Sequence, residues 1–179
     1  RNRMKIKSTL VAFASILLAQ SSFPQEKTIE LEDICASRIF SPEWVWGLNS
    51  MNDGVHYSSM NYGNGNVYVT EYSYETGDSV STIIDSKNFE DINFDDYSFS
   101  KNEQKVLLPT ATESIYRHST RSKYYIYDRE TRNALELSTG KQRLAQFSPD
   151  ATKVAFVREN NIFIKDLKSD LETQVTTDG

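Results

Sequence analysis

With 179 residues the chain has room for one domain with a buried core. Its formal net charge of −5 makes it a poor partner for nucleic acid or an anionic membrane surface. Seven Gly and four Pro are too few for a collagen-like or low-complexity chain, and ten Tyr and nine Phe favour strands over helices.

The first elements belong to targeting. Lys5 and Lys7 form a basic start, residues 10–18 a short apolar core, and Ala19, Ser21 and Ser22 a small-residue end, the order of a secretory signal peptide over 1–22. The apolar run is shorter than the roughly 20 residues a membrane span needs. Met4 reads as the start codon, with Arg1-Asn2-Arg3 translated from upstream. Cleavage would remove Arg1, Arg3, Lys5 and Lys7 and no acid, leaving a more acidic, secreted or periplasmic protein with no membrane attachment. Residues 23–43 form a lead-in. There Leu31, Ile34, Cys35 and Ile39 have helical spacing, and Cys35, the single cysteine, reads as a small buried hydrophobe.

From Trp44 onward the pattern is β. Strands are expected at 45–48, 56–60, 67–72 and 79–84, separated by the turn signals Asn52-Asp53-Gly54, Asn64-Gly65-Asn66 and Glu75-Thr76-Gly77-Asp78. A second set is expected at 96–99, 105–109, 124–128 and 134–137, and a third at 144–147, 153–157, 162–166 and 172–176. The last two sets are copies. Phe99-Ser100-Lys101-Asn102 recurs 48 residues on as Phe147-Ser148-Pro149-Asp150, but Tyr125-Ile126-Tyr127-Asp128 recurs only 38 residues on as Phe163-Ile164-Lys165-Asp166. The earlier copy therefore holds ten extra residues between two strands, including Glu113-Ser114-Ile115-Tyr116-Arg117-His118-Ser119. In the first set Ser50, before Asn52-Asp53-Gly54, takes the place of Ser100 and Ser148.

Units of 40–50 residues with four short strands are β-propeller blades. The fold class is all-β: about three four-stranded blades, over 44–88, 89–140 and 141–179, in a partial N-terminal propeller spanning 44–179. Closed propellers need about four to eight blades, so the chain is expected to be the N-terminal piece of a longer protein.

The stretch Pro42-Glu43-Trp44-Val45-Trp46-Gly47-Leu48-Asn49-Ser50-Met51-Asn52-Asp53-Gly54 resembles the first blade of bacterial dipeptidyl peptidase IV. So do Tyr97-Ser98-Phe99-Ser100, Tyr116-Arg117-His118-Ser119 with Tyr124-Tyr125-Ile126-Tyr127-Asp128, and the third blade from Phe147 to Asp166. The resemblance covers 28–179. It implies an eight-bladed propeller joined to a C-terminal α/β-hydrolase domain, in a serine peptidase that releases X-Pro or X-Ala dipeptides from peptide N-termini. It further implies that Arg117, carried into the central cavity by a long loop, binds the substrate's backbone carbonyl region. A guanidinium offers a planar fork of donors suited to that task. The family's paired glutamates and its catalytic triad fall on no position of this sequence, and no Gly-x-Ser-x-Gly elbow is present. The expected partners are peptide substrates and the hydrolase domain, with a homodimer left open. No catalytic residue, cofactor or metal ligand is expected within the chain.

Each candidate has a plainer reading. Arg117 is alternatively a surface arginine paired with Glu113. His118 is expected to border the substrate and to position the Arg117 loop by hydrogen bonding. As neighbours on an extended segment, His118 and Ser119 point to opposite sides and make no nucleophile–base pair. The acidic run from Glu90 to Asp96 lacks the Gly and final Glu of a calcium loop and reads as a solvated crossover between blades. His56 has no Cys or second His nearby, and Trp44 and Trp46 read as packing residues. Competing functions are a non-catalytic TolB-like binding scaffold, for which the insertion would have no use, and a tripeptidyl or acylaminoacyl peptidase. A Glu-Glu pair in the next blade would separate the peptidases.

Overall fold

A computed structural model describes residues 28–37, 39–41, 46–90 and 92–179, with Trp46 described for its backbone alone. The signal-peptide reading, Trp44, Asp91 and the Trp46 side chain lie outside the described residues. The chain divides into two units, Arg1–Glu43 and Trp44–Gly179.

In the first unit the helical spacing yields one short helix, α1 (Leu31–Cys35). The Glu30 amide donates to Asp33 Oδ2 at 3.1 Å, satisfying a donor at the helix start. Cys35 is exposed, which corrects the expectation of a buried cysteine. A five-residue helix has too short an apolar stripe to enclose it: Leu31 and Ile34 are exposed as well.

The described residues of the second unit form twelve strands in three four-stranded antiparallel sheets, each paired in chain order, with one 3-10 turn at Ser86–Asn88. The first sheet holds β1 (Trp46–Ser50), β2 (His56–Gly63), β3 (Asn66–Ser73) and β4 (Ser79–Asp85). The second holds β5 (Ser98–Phe99), β6 (Lys105–Tyr116), β7 (Ser119–Asp128) and β8 (Ala134–Glu136). The third holds β9 (Arg143–Phe147), β10 (Lys153–Arg158), β11 (Asn161–Asp166) and β12 (Glu172–Gln174). These are the three expected blades, and the main departure is the length of β6 and β7.

Blade 2 is apolar on both faces, and β6 shows why. Val106, Leu107 and Leu108 are all buried. Alternation along the strand sends Val106 and Leu108 into a core shared with Met60, Val69 and Ile84 of blade 1, and sends Leu107 into a core shared with Val154, Phe156 and Phe163 of blade 3. On β7, Tyr125 and Tyr127 join the first core while Tyr124 and Ile126 join the second. A strand covered on both sides reads as a continuous apolar run instead of an alternating one.

The first blade-to-blade core is locked by buried hydroxyls. The Tyr97 phenol contacts the Gly47 carbonyl oxygen and lies 2.9 Å from Ser58 Oγ. Tyr127 donates to the Ile83 carbonyl at 3.1 Å. Gly47 has φ +59, and a Cβ there would stand 3.0 Å from Tyr97 Cε1, so glycine alone suits both the backbone and its neighbour. The crossover between the blades is not simply solvated, as the acidic run had suggested: Ile92 and Phe94 are buried within it. Backbone pairing of Asp95 N with the Pro109 carbonyl at 3.1 Å turns these apolar residues into the core.

The blades share one turn chemistry. In blade 2, Ser100 N donates to the Lys105 carbonyl and Glu103 N to the Ser100 carbonyl; in blade 3, Ser148 N donates to the Lys153 carbonyl and Ala151 N to the Ser148 carbonyl. In blade 1 it is Met51 N that donates to the His56 carbonyl, and Gly54 N to the Met51 carbonyl. Met51, not Ser50, therefore occupies the Ser100 and Ser148 position. Ser50 lies one place earlier, its hydroxyl 2.6 Å from the Tyr74 phenol. The register of β1 slips between Trp46 and Asn49, and such a bulge removes any guarantee that sequence spacing keeps the repeat in phase.

Asp53 closes this first turn. Oδ1 accepts from the Val55 and His56 amides, both at 2.9 Å, and Oδ2 lies 2.6 Å from His56 Nδ1. This contact, ahead of Coulomb attraction, raises His56 above the usual imidazole value of 6.5 and holds Asp53 at about 2.

Two outcomes follow for the fold. Tyr97→Phe strips the Gly47 carbonyl and the buried Ser58 hydroxyl of their shared partner, so it should cost about 1–3 kcal/mol and lower the melting temperature by several degrees in a circular-dichroism melt. The clasp stabilisation that comes from His56 protonation should be complete below pH 6.5 and be lost as pH rises through the raised imidazole value. Asp53 weakens the clasp only as pH falls toward about 2. An NMR titration should place the His56 midpoint above 6.5 and bring it back toward 6.5 in Asp53→Asn; an unmoved midpoint in the variant would remove Asp53 as the cause.

Candidate functional site

The inserted residues are a continuation of the β6–β7 hairpin. In blade 3, β10 and β11 close at the pair Arg158 and Asn161 over Glu159 and Asn160, whose φ values of 50 and 62 suit a tight two-residue turn. The matching pair in blade 2 is Thr110 and Lys123, and there the strands run on. Ala111 adopts φ 48, the register shifts between Thr110 and Glu113, and pairing resumes at Glu113 with Arg121, Ser114 with Thr120, and Tyr116 with Ser119. Six residues of strand at about 3.3 Å each carry the tip roughly 20 Å beyond the closing point of the other blade.

Arg117 and His118 form the turn at that tip, so the expected loop is a ladder-bonded hairpin. Both are exposed, beside a Tyr116 that is 78 % exposed. Among the described residues Arg117 has no ion pair, so the alternative pairing with Glu113 is not found. Glu113 is occupied elsewhere: Oε2 accepts from Arg121 Nε at 2.8 Å, and Oε1 meets Lys141 Nζ at 2.8 Å. Lys141 and then Arg121 hold the Glu113 carboxyl below the usual carboxylate range. His118 makes no hydrogen bond among the described residues, which corrects its assignment as the residue that positions the Arg117 segment. A turn residue at a hairpin tip projects away from the ladder and has no neighbouring strand to bind. Nor does any hydrogen bond join His118 to Ser119.

Positioning falls to residues at the base of the hairpin. Thr112 Oγ1 donates to Asp95 Oδ1 at 2.8 Å and lies 2.7 Å from Ser122 Oγ. Lys141 Nζ also donates to the Ala111 carbonyl, where the bulge exposes that oxygen. Asp95 from the crossover and Lys141 from the link to blade 3 thus grip the extension from two directions. Neither was singled out in the sequence, because each is far from Arg117 along the chain.

Between the extension and blade 3 lies an open cavity of about 1040 Å³. Its wall includes Glu113, Tyr116 and Arg121 of the extension, Lys141 of the link, and Arg143 and Arg158 of blade 3. Arg158 is spent on the wall itself: it pairs with Glu172 Oε1 at 2.7 Å, donates to Ser138 Oγ, and stacks 4.2 Å from the centre of the Phe163 ring.

A second cluster sits at the first turn of blade 1. Asp53, His56 and Glu71 bring one ligand atom each to within 4.8 Å of one another. Glu71 lies on β3 two positions from Ser73, the partner of His56, and so reaches the imidazole diagonally. A search for Cys or His near His56 passes over these carboxylates; the readable signal was Asp53, three residues earlier. The nitrogen facing the carboxylates is already engaged by Asp53 at 2.6 Å.

Residues 100–179 match the model of the dipeptidyl peptidase IV (DPP IV) N-terminal region. A probable dipeptidyl-aminopeptidase B of Pyrenophora teres f. teres is 30% identical over 179 residues, covering 90% of this chain and 20% of its own length. Human prolyl endopeptidase FAP is 30% identical over 160 residues, covering 86% of this chain and 20% of its own. The crystal structure of Porphyromonas gingivalis dipeptidyl peptidase 4 superposes with a TM-score of 0.69 at 38% identity, over 86% of this chain and 22% of that one. The chain spans about a fifth of the length of these relatives. With three four-stranded blades and these matches together, the chain belongs to the dipeptidyl peptidase IV family, as an N-terminal β-propeller portion of it.

Proposed function

We propose that the chain is the propeller part of a secreted or periplasmic serine peptidase that releases X-Pro or X-Ala dipeptides from peptide N-termini. In this reading the propeller limits access to an active site in a C-terminal α/β-hydrolase domain. Arg117 binds the peptide's backbone carbonyl region, with His118 beside it. The observation that carries the reading is the uncommitted guanidinium of Arg117 at the tip of a braced hairpin that blade 3 lacks. A free arginine keeps its full set of donors for a ligand, while the braces below it reduce the ordering needed on binding. A binding scaffold without catalysis would have no use for such an extension.

In the intact protein, Arg117→Ala should lower kcat/KM for an X-Pro substrate by roughly 30- to 150-fold, the equivalent of one charged hydrogen bond of about 2–3 kcal/mol. A loss below about threefold with folding intact would overturn the assignment. Glu113→Gln tests the bracing: it leaves Arg121 and Lys141 without their shared anion and should raise KM more than it lowers kcat, since the hairpin tip becomes less well placed.

A further inference from the structure

The corner where blade 2 meets blade 3 concentrates positive charge. Strands β7 and β9 touch at one antiparallel bridge, with Ser122 N donating to the Gln142 carbonyl at 2.9 Å and Gln142 N to the Ser122 carbonyl at 2.8 Å. Ser122 is 1 % exposed and Gln142 0 %, and Gln142 Nε2 is held by the carbonyls of Ser138, Thr139 and Gly140. Alternation turns the adjoining residues, Arg121 and Arg143, to the opposite side, where both line the cavity beneath the hairpin extension. The bridge is isolated, and Arg121 and Arg143 are the residues next to it on one side. Like charges held on neighbouring strands repel.

Only part of this charge is neutralised. Glu113 takes Arg121 Nε and Lys141 Nζ, but the terminal nitrogens of Arg121 enter no hydrogen bond among the described residues. The Arg143 guanidinium has neither an ion pair nor a hydrogen bond among them, its backbone being paired with Val157. Arg158 is neutralised by Glu172, which leaves Arg121, Lys141 and Arg143 lining the cavity with Glu113 and Glu159, in a chain whose net charge is −5. Two guanidinium forks lining one open cavity suit a carboxylate, which each can bind through paired N–H donors.

We propose that Arg121 and Arg143 form a carboxylate-binding subsite, and that its ligand is an acidic side chain of a peptide lying in the groove between the β6–β7 extension and blade 3. The subsite is distinct from Arg117 at the hairpin tip and does not depend on peptidase activity.

Calorimetric titration of the full 179-residue chain with tetraglutamate, and with tetraglutamine as control, tests the proposal. Tetraglutamate should bind saturably and tetraglutamine at least about tenfold more weakly, the scale of one charge-assisted contact. Arg143→Gln should lose that preference, Arg143→Lys should keep part of it, and Lys101→Gln, at an exposed turn that does not line the cavity, should leave it unchanged. Because Arg143 supports no other residue, Arg143→Gln should melt at or above the wild-type temperature as its repulsion with Arg121 is relieved. Equal affinity for the two peptides, no saturable binding of tetraglutamate, or a loss with Lys101→Gln equal to that with Arg143→Gln would overturn it.

Discussion

The two-sided burial of β6 is the constraint on which the rest of the unit depends. Val106 and Leu108 belong to the core with blade 1, and Leu107 to the core with blade 3. A one-residue slip in its pairing would exchange these faces, so the pattern pins the register of the whole sheet. With the strand held this way, Tyr127 reaches Ile83 across one interface while Tyr124 and Ile126 face the other. The hydroxyl contacts of Tyr97 with Gly47 and Ser58 then add direction to an apolar interface that by itself has none.

That register also decides where the hairpin extension starts. The pair Thr110 and Lys123 matches the place where blade 3 turns back, and the Ala111 bulge lets blade 2 continue instead. Its outer half has no core to rest on: every residue from 111 to 118 is exposed. Polar contacts supply the support, with Asp95 holding Thr112 and Glu113 drawing Arg121 and Lys141 together. Exposed ion pairs of this kind contribute modestly to stability. Their effect here is geometric, joining the extension to the crossover before it and to the link after it. None of these contacts takes up the Arg117 guanidinium at the tip.

The sequence by itself determined the architecture: the three blades, the strand positions within a few residues, the place of the insertion, and Arg117 as its distinctive cation. All of these rest on information local in the chain, namely the two-residue strand period, turn residues such as Asn64-Gly65, and a repeat that can be measured by counting. Tertiary structure decided what depends on contacts between distant residues. It showed that Met51 and not Ser50 keeps the repeat's turn bond, because a bulge in β1 shifts the phase. It gave Glu113 to Arg121 and Lys141 instead of Arg117, since cross-strand register outweighs nearness in sequence. It left Cys35 exposed because one short helical turn cannot enclose it. It also brought Arg143 and Arg121 to the wall of one cavity, and Glu71 beside His56, through contacts that no spacing rule along the chain expresses.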